Sequence, residues 1–448
     1  MDKKRKGDRK RNTFCRVHQL LLILLLICGV QVNAAETEEY PYLPLYAKSA
    51  VLMDGDSGRL LYGKNAQEIM PMASTTKIMT CIVALEQGKL DDWVTFSSYA
   101  ASQPKVHLGA REGRSFLLKD LLYSLMLESH NDTAVAIAEH IGRQWMLEKE
   151  GEEKNIDSKQ AVDAFLELMN EKAKELGCEN TFFVTPNGLD GSREICLEDG
   201  TKTLKSHGTT AQELALVMRY CLYESPKKDL FLAITRQANH SFWDKEGMVC
   251  YSCTNHNTLL TMLSQAVSGK TGFTNAAGYC YVGAIEEGEK KFILALLACG
   301  WPNNKNYKWA DCKELFAYGN KNYEYASFQP EVILHEISIK NGKASDGNPY
   351  SIKKLFPKPM EGEELEDKTF CMLVQKGEEV FARVNQQLNL SAPVEEDTIV
   401  GEVEYFLRDS FGKETSLERI PLYVKEKVGE IDFSFVLRYV VEQYLISG

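Results

Sequence analysis

The stretch PMASTTKIMT, residues Pro71–Thr80, decides how the chain is interpreted. Ser74 precedes Lys77 by three positions, and apolar residues then recur at helical spacing until Gly88. Residues three apart share one face of a helix, so the amine of Lys77 can reach the hydroxyl of Ser74. The Ser-x-x-Lys pattern alone proves little, because the chain contains it five times, beginning at Ser74, Ser102, Ser225, Ser351 and Ser410.

Two further short motifs lie downstream. Ser129-His-Asn131 interrupts two segments of helical periodicity, and Lys270-Thr-Gly272 lies in an apolar run with strand character; each triplet occurs once. Each motif alone has a structural explanation, because serine caps helices, Ser and Asn form turns, and lysine often protects a sheet edge. Their order and their contexts together favour a catalytic interpretation.

The chemistry of the first motif depends on the charge of its lysine. A serine hydroxyl is a weak nucleophile and requires a neighbouring base. Lys77 can be that base only as a neutral amine, so its pKa must fall well below the ordinary value of about 10.4. Burial and a second cation would lower it, and Lys270 is the candidate cation. In the alternative, Lys77 stays charged and Ser129 relays the proton; the sequence leaves both mechanisms open.

The remaining motif residues are suited to a peptide that ends in a carboxylate. Ser129 and Asn131 offer a hydroxyl and an amide for proton relay and for holding a substrate amide. Lys270 and Thr271 offer a cation and a hydroxyl for a terminal carboxylate. The backbone beyond them, at Phe273, can pair with an extended peptide.

The order of secondary-structure patterns predicts a catalytic domain over residues 41–325. Strand patterns begin and end this range and helical patterns fill its middle, so both ends should form one antiparallel sheet with helices packed on it. One helix is predicted to be capped by Asp132 and to end at Gly142. Residues 328–428 have the short, turn-separated apolar segments of a small β-rich domain.

Residues 431–448 are predicted to form an amphipathic helix. Ser434, Arg438 and Glu442 would form a narrow polar stripe, with apolar residues over much of the remaining surface. Such a helix suits a membrane interface better than a span across the bilayer. The alternative is a last helix packed on the β-rich domain, since the tail lacks the basic face that interfacial helices often carry.

The first 34 residues have the pattern of a secretory signal peptide. A basic segment precedes the apolar block Leu20–Val30, and small residues near Ala34 suit cleavage. An uncleaved N-terminal anchor is the alternative. The segment carries eight Lys/Arg and two Asp/Glu, a net charge of +6, so its removal changes the formal net charge from −11 to −17. An acidic mature chain argues against nucleic acid as a partner.

The twelve cysteines are irregularly spaced and match neither a disulfide framework nor a zinc site. We expect mostly buried free thiols, with an occasional disulfide as the alternative.

Residues 41–445 resemble the secreted serine-type D-Ala-D-Ala carboxypeptidases, the low-molecular-mass penicillin-binding proteins of bacterial cell walls. Besides the three motifs, the resemblance includes LMDGDSGRLLYGKN, TPNGLD, HGTTAQELA with His207, NHNTLL and KTGFTNAAGYC. It implies an α/β (α+β) fold: a β-lactamase/transpeptidase-like catalytic domain, a small β-rich C-terminal domain and often a membrane anchor. The implied partners are the peptidoglycan stem peptide, β-lactam antibiotics and a membrane surface, at the outer face of the cytoplasmic membrane or in the cell wall. No metal or organic cofactor is implied.

The resemblance also implies how the serine acts. Ser74 would be the acylated nucleophile, Lys77 its base, Ser129 the relay and Asn131 an orienting group. Ser74 would attack the carbonyl between the last two D-alanines, expel D-alanine and leave an acyl-enzyme that water hydrolyses. Penicillins would trap that intermediate.

The implied binding residues include two departures from the family pattern. Lys270 and Thr271 would bind the carboxylate, and the amide of Phe273 would complete the oxyanion hole with that of the nucleophile. His130 stands where such enzymes commonly carry glycine, so loop shape or rate is expected to differ. Many relatives place an arginine after the last core strand; here Lys308 is the predicted substitute, without bidentate geometry.

Two other functions compete with this interpretation. A β-lactamase would share the fold, but class A enzymes rely on a deacylating glutamate, and Glu167 is not a convincing equivalent. A non-catalytic peptidoglycan-binding protein is the other rival, and the intact motifs argue against it. Fast penicillin hydrolysis would support the first rival, and failure of a labelled penicillin to attach to Ser74 would support the second.

Overall fold

A computed structural model describes residues 40–150, 156–196, 200–365 and 367–446. The predicted signal peptide lies outside the described residues. We label the strands of the described ranges, in chain order, β1 (Ser49–Asp54), β2 (Leu60–Lys64), β3 (Trp93–Thr95), β4 (Ser115–Leu117), β5 (Ser192–Cys196), β6 (Lys202–Ser206), β7 (Asn239–Trp243), β8 (Cys250–Thr254), β9 (Ala266–Thr274), β10 (Gly278–Glu287), β11 (Lys290–Leu297), β12 (Glu324–Phe328), β13 (Ile337–Lys340), β14 (Lys353–Leu355), β15 (Phe370–Val374), β16 (Glu379–Gln386), β17 (Asn389–Ser391), β18 (Thr398–Arg408) and β19 (Glu414–Val424).

The α-helices of the same ranges are labelled in the same way. They are α1 (Lys77–Gln87), α2 (Ser98–Ala101), α3 (Leu118–Tyr123), α4 (Asn131–Glu150), α5 (Ser158–Glu175), α6 (Ala211–Arg219), α7 (Lys228–Arg236), α8 (Leu259–Met262), α9 (Tyr307–Asn322) and α10 (Phe433–Val441). A 3-10 turn at Ala73–Thr76 leads into α1, and π-helical turns occupy Ser124–Glu128, Tyr220–Glu224 and Glu442–Ile446.

The central sheet joins both ends of the predicted catalytic range. Its strand order is β2-β1-β11-β10-β9, and every neighbouring pair is antiparallel. The strands β1 and β11 are buried along almost their whole length, because helices cover the sheet. The predicted sheet of early and late strands is therefore confirmed, and β9, which carries Lys270-Thr-Gly272, is one of its edges.

Helix α1 runs through the centre of the hydrophobic core. All its residues from Lys77 to Leu85 are buried, and the helix ends at Gln87, directly before the predicted stop Gly88. It contacts α4, α5 and α7, so its position is determined by packing on several sides. The Ser74-Thr-Thr-Lys77 motif at its start is thereby fixed to the packed core.

The prediction for the helix around residues 132–142 was wrong at both ends. Helix α4 begins at Asn131 and continues to Glu150. Asp132 lies inside its first turn, where the carboxylate accepts the N–H groups of Leu108 and Gly109 at 2.8 and 2.9 Å. Gly142 does not end the helix; a Cβ there would lie 1.9 Å from the Ala161 carbonyl oxygen, so glycine lets α5 approach closely.

Three antiparallel two-stranded sheets were not predicted from the sequence. They pair β3 with β4, β5 with β6, and β7 with β8. In each strand of the last two pairs, three or four of the five residues are exposed. These strands therefore lack the regular alternation of apolar and polar residues by which a strand is predicted.

The strands from residue 324 onward form small sheets with buried clusters of their own. Their orders are β12-β15, β14-β13-β17 and β16-β18-β19. The Arg59 guanidinium donates to both carboxylate oxygens of Glu378 at 2.7 and 2.6 Å, and Asp54 accepts the Leu373 N–H at 2.9 Å. These contacts join the β2 end of the central sheet to the C-terminal strands. The predicted domain boundaries stay a prediction.

The C-terminal helix α10 begins at the N-cap Asp432, whose carboxylate accepts the Phe435 N–H at 2.8 Å. None of its residues is buried. Phe433, its first residue, is 81% exposed, and Tyr444, just after the helix, is 76% exposed. Among the helices that the structure describes, none is both long and apolar enough to cross a membrane.

The cysteines of the described ranges are all free thiols. Most are buried, as expected, and three are exposed: Cys196, Cys250 and Cys371.

Candidate active site

The three motifs meet in one open cleft of about 980 Å³ beside β9. Ser74 comes from the turn before α1, Ser129 from the loop between the π turn and α4, and Thr271 with Phe273 from β9. Lys308, from α9, lines the same cleft. The fold therefore brings together motifs that are far apart in the sequence.

The turn that carries Ser74 has an unusual backbone. Ala73 has φ 48°, in the left-handed region that residues with a Cβ rarely adopt. Two glycines pack on the peptide bond that follows it: a Cβ on Gly188 would lie 2.1 Å from the Ala73 carbonyl oxygen, and one on Gly272 would lie 2.9 Å from the Ser74 nitrogen. The Ala73–Ser74 peptide group is thus held between two chain segments.

Lys77 is fully buried and contacts three oxygen atoms. Its Nζ lies 2.9 Å from Ser74 Oγ, 2.9 Å from Asn131 Oδ1 and 2.5 Å from the backbone carbonyl oxygen of Asn187. The Asn131 amide is oriented by its own donation from Nδ2 to the Pro104 carbonyl at 3.1 Å. Two of the three neighbours of Nζ can therefore only accept hydrogen bonds.

These three oxygen neighbours are compatible with both charge states of Lys77. The ammonium form would donate to all three oxygens. The neutral amine, with two N–H groups and one lone pair, would donate to Asn131 Oδ1 and the Asn187 carbonyl and accept the hydroxyl proton of Ser74. Burial, followed by the charge of Lys270, lowers the pKa of Lys77 well below its ordinary value, while the Asp132 carboxylate acts in the opposite direction.

Lys270 is placed beside the second serine. Its Nζ donates to Ser129 Oγ at 2.9 Å and to the Thr271 carbonyl at 2.9 Å. Burial lowers the pKa of Lys270 to about 7. The backbone of Ser129 is in the left-handed region, with φ 64°, a strained conformation for a residue with a Cβ. The surrounding loop maintains this conformation and so fixes the position of the hydroxyl in the cleft.

His130 is buried beneath the same loop. Its Nδ1 lies 2.8 Å from Ser124 Oγ, which also lies 2.9 Å from Thr133 Oγ1. Burial lowers the pKa of His130, so the neutral ring is favoured. The His130 side chain, a predicted departure from the family pattern, therefore packs under the loop beside Ser124.

Lys308 is buried in the cleft wall. Its Nζ donates to the Lys305 carbonyl at 2.6 Å and lies 4.7 Å from the ring centroids of both Tyr279 and Trp309. Burial lowers its pKa. The position suits a cation beside a bound carboxylate, and that role stays a prediction.

Sequence reasoning missed two functional contacts. The Asn187 carbonyl receives a hydrogen bond from Lys77, and His207 contacts Thr76 in the turn that carries Ser74. Asn187 and His207 lie in TPNGLD and HGTTAQELA, two of the segments in which the chain resembles the family. A backbone carbonyl that accepts a hydrogen bond leaves no mark on the sequence, so the role of Asn187 could not be predicted.

A serine contacted by a buried lysine, next to a second serine–lysine pair on the edge of an antiparallel sheet, defines a serine hydrolase of the penicillin-binding type. Comparison with known proteins agrees. A family model described as D-alanyl-D-alanine carboxypeptidase matches residues 34–299. The chain therefore belongs to the D-alanyl-D-alanine carboxypeptidase family, and it is a serine-type peptidase.

Individual relatives extend the match beyond the catalytic range. The D-alanyl-D-alanine carboxypeptidase DacF of Bacillus subtilis is 28% identical over 79% of this chain and 80% of its own length. DacC of Escherichia coli is 26% identical over 92% of this chain and 90% of its own.

Solved structures agree on the fold. A D-alanyl-D-alanine carboxypeptidase from Mycobacterium tuberculosis has a TM-score of 0.51 and 28% identity, over 64% of this chain and 95% of that one. Penicillin binding protein 5 from Haemophilus influenzae has a TM-score of 0.60 and 24% identity, over 88% of this chain and 100% of that one. The penicillin-binding fold is therefore confirmed.

Proposed function

We propose that this chain removes the terminal D-alanine from peptidoglycan stem peptides through an acyl-enzyme on Ser74. The observation that carries the proposal is the meeting of the three motifs at one cleft, where Nζ of the buried Lys77 lies 2.9 Å from Ser74 Oγ and the Lys270–Ser129 pair lies beside them. Neutral Lys77 takes the hydroxyl proton as Oγ attacks the carbonyl carbon. The amides of Ser74 and Phe273 stabilise the oxyanion that forms.

The second half of the reaction uses the Ser129–Lys270 pair. The tetrahedral intermediate collapses when the peptide nitrogen of the leaving D-alanine receives a proton. Ser129 Oγ, which accepts from Lys270 at 2.9 Å, gives its hydroxyl proton to that nitrogen. Protonated Lys77 gives the proton that it took from Ser74 to Ser129 Oγ, so D-alanine leaves as a neutral amine, Ser129 is a hydroxyl again and Lys77 is neutral again. Water then attacks the acyl-enzyme, with Lys77 as base, and regenerates free Ser74.

Lys270, Thr271 and Lys308 would bind the carboxylate of the terminal D-alanine, and Asn131 would hold the preceding amide. Thr271 and Lys308 line the cleft together with Phe273, and Lys270 contacts two residues of that lining, Ser129 and Thr271. β-lactams carry a carboxylate and a strained amide in a similar relation, so we propose that they acylate Ser74 and leave slowly.

Mass spectrometry of a pentapeptide that ends in D-Ala-D-Ala tests this function. We expect one equivalent of D-alanine and one of tetrapeptide, and stoichiometric labelling by a penicillin with slow release. Rapid catalytic hydrolysis of penicillin without D-alanine release would instead support a β-lactamase. Absence of both label and D-alanine would support a non-catalytic binding protein.

The pH dependence of carboxylate capture follows from Lys270. Its charged form binds the carboxylate, and burial lowers its pKa to about 7, so kcat/KM should fall as the pH rises above that value. In Lys270→Arg the guanidinium stays charged to beyond pH 10, so the falling limb should disappear while the maximum rate drops. Stopped-flow acylation from pH 5 to 10 measures both; a falling limb unchanged in the variant would contradict the assignment.

Export and attachment to a membrane surface complete the proposal. Peptidoglycan lies outside the cytoplasm, which supports the predicted signal peptide at residues 1–34. The solvent-exposed apolar side chains of α10 support an interfacial helix, since Leu437 and Val440 are 49% and 42% exposed.

Full-length Leu437→Gln/Val440→Gln should lose at least about tenfold of its affinity for zwitterionic lipid vesicles, because burial of each such side chain contributes roughly 1.5 kcal/mol or more. D-alanine release from a soluble peptide should stay unchanged. Vesicle co-sedimentation measures the binding, with Glu442→Gln on the polar stripe as the matched control. Equal binding by both variants would show that α10 is not the anchor.

A further inference from the structure

A buried chain of hydrogen bonds leads from His207 to the peptide group that precedes the nucleophile. His207 is 4% exposed, and its Nδ1 accepts the Val184 N–H at 3.0 Å. A backbone N–H can only donate, so Nδ1 carries no proton and the neutral ring carries its proton on Nε2. That Nε2–H lies 2.8 Å from Thr76 Oγ1 and donates to it.

The chain ends on the Ala73 carbonyl. Thr76 Oγ1 accepts from His207, and its own proton goes to the Ala73 carbonyl oxygen at 2.8 Å. The Ala73 C=O and the Ser74 N–H belong to the same planar peptide group, so fixing one end fixes the direction of the other. This matters because Ala73 is in the left-handed region, a conformation that other contacts must maintain.

The neutral ring is the dominant form throughout the working range. Burial and then the charge of Lys77 lower the pKa of His207 to about 4. A protonated ring would turn a donor toward the Val184 N–H and break the chain. The hydrogen bonds from His207 through Thr76 to the Ala73 carbonyl therefore persist above about pH 5, where the ring is neutral.

We infer that His207 and Thr76 are positioning residues for the oxyanion hole: together they orient the Ala73–Ser74 peptide so that its N–H points at the developing oxyanion. Neither side chain touches the substrate in this arrangement. A hydrogen bond to the carbonyl also polarises the same peptide group, which strengthens its N–H as a donor. The inference rests on the proposed role of Ser74 and adds two residues to it.

Thr76→Val tests the inference, because it keeps the side-chain shape and removes the hydroxyl. We expect the first-order acylation rate constant with a penicillin to fall by roughly 10²-fold, near the lower end of the loss caused by removing an oxyanion donor. The affinity of the non-covalent complex should change little. Deacylation should slow by a similar factor, because its tetrahedral intermediate uses the same hole. Thr76→Ser, which retains the hydroxyl, should stay within about threefold of wild type.

His207→Phe tests the same chain from its other end and should reproduce the slowing of both steps. Thr80→Val is the matched control: Thr80 lies one turn further along α1 and donates to the Pro186 carbonyl at 2.6 Å, without contact to the Ala73 carbonyl. It should acylate within about threefold of wild type. Rates are taken per labelled molecule, so a partly unfolded sample does not change them.

The pH profile separates positioning from an effect on the base. Loss of oxyanion alignment lowers the acylation rate equally at every pH, so the pH at which acylation reaches half its maximum should be the same in Thr76→Val and in the wild type. The inference is overturned if Thr76→Val and His207→Phe acylate as fast as Thr80→Val, or if the midpoint shifts while the maximum rate is kept. Absence of label on Ser74 of the wild type would overturn the proposed function instead.

Discussion

Replacing Ser74 with alanine should lower D-alanine release by about 10⁴-fold or more and abolish penicillin attachment, as expected for a covalent nucleophile. The change removes the oxygen that lies 2.9 Å from Lys77 Nζ, and the fold should stay intact because alanine is no larger than the half-buried serine that it replaces. Turnover of a D-Ala-D-Ala pentapeptide, followed by mass spectrometry, measures the loss. Ser410→Ala is the matched control, since Ser410 begins another Ser-x-x-Lys copy in an exposed turn, and it should behave as wild type.

Retention of more than about a tenth of the wild-type rate in Ser74→Ala would be incompatible with the proposed acyl-enzyme, since knocking out such a nucleophile costs far more. Unchanged circular dichroism and thermal midpoint would establish that a lost rate reflects lost chemistry.

Lys77→Arg should reduce acylation by about 10³-fold, within the range that a general base contributes. A guanidinium remains protonated at any accessible pH and has no lone pair for the Ser74 proton. The two mechanisms that the sequence left open differ here. If charged Lys77 only assisted a relay through Ser129, arginine would preserve the charge and much of the rate.

The pH profile of the wild type gives a second criterion for Lys77. Its pKa is lowered by burial and by Lys270, so acylation should rise with pH through a midpoint far below 10.5 and not follow the titration of an ordinary lysine. Lys172→Arg, at a partly buried lysine that pairs with Glu86 outside the site, is the control and should leave the profile unchanged. A rate that rises only above pH 10 would exclude the neutral-lysine mechanism.

The sequence predicted the elements that depend on side-chain type and periodicity. The central sheet, α1 and the meeting of the three motifs follow from apolar patterning and from residues with distinctive chemistry. The end of α4 was mispredicted at Gly142, because a glycine that stops a helix and a glycine that admits a neighbouring helix look identical in one sequence.

The contacts that complete the site could not be predicted because they involve the backbone. The Asn187 carbonyl, which accepts from Lys77, has no side-chain signature. The hydrogen bonds from His207 through Thr76 to the Ala73 carbonyl join residues that are far apart in the chain, and no sequence pattern predicts this contact. His130 shows the same limit: it was recognised as unusual, but its burial next to Ser124 emerged only from the fold.

Mapping the acylated residue tests the central claim most directly. The wild-type chain is mixed with a penicillin, quenched in acid and digested, and the adduct is located by tandem mass spectrometry. We predict a single adduct on the hydroxyl of Ser74 and none on the serines of the other four Ser-x-x-Lys copies. An adduct on another residue, with Ser74 unmodified, would contradict the account.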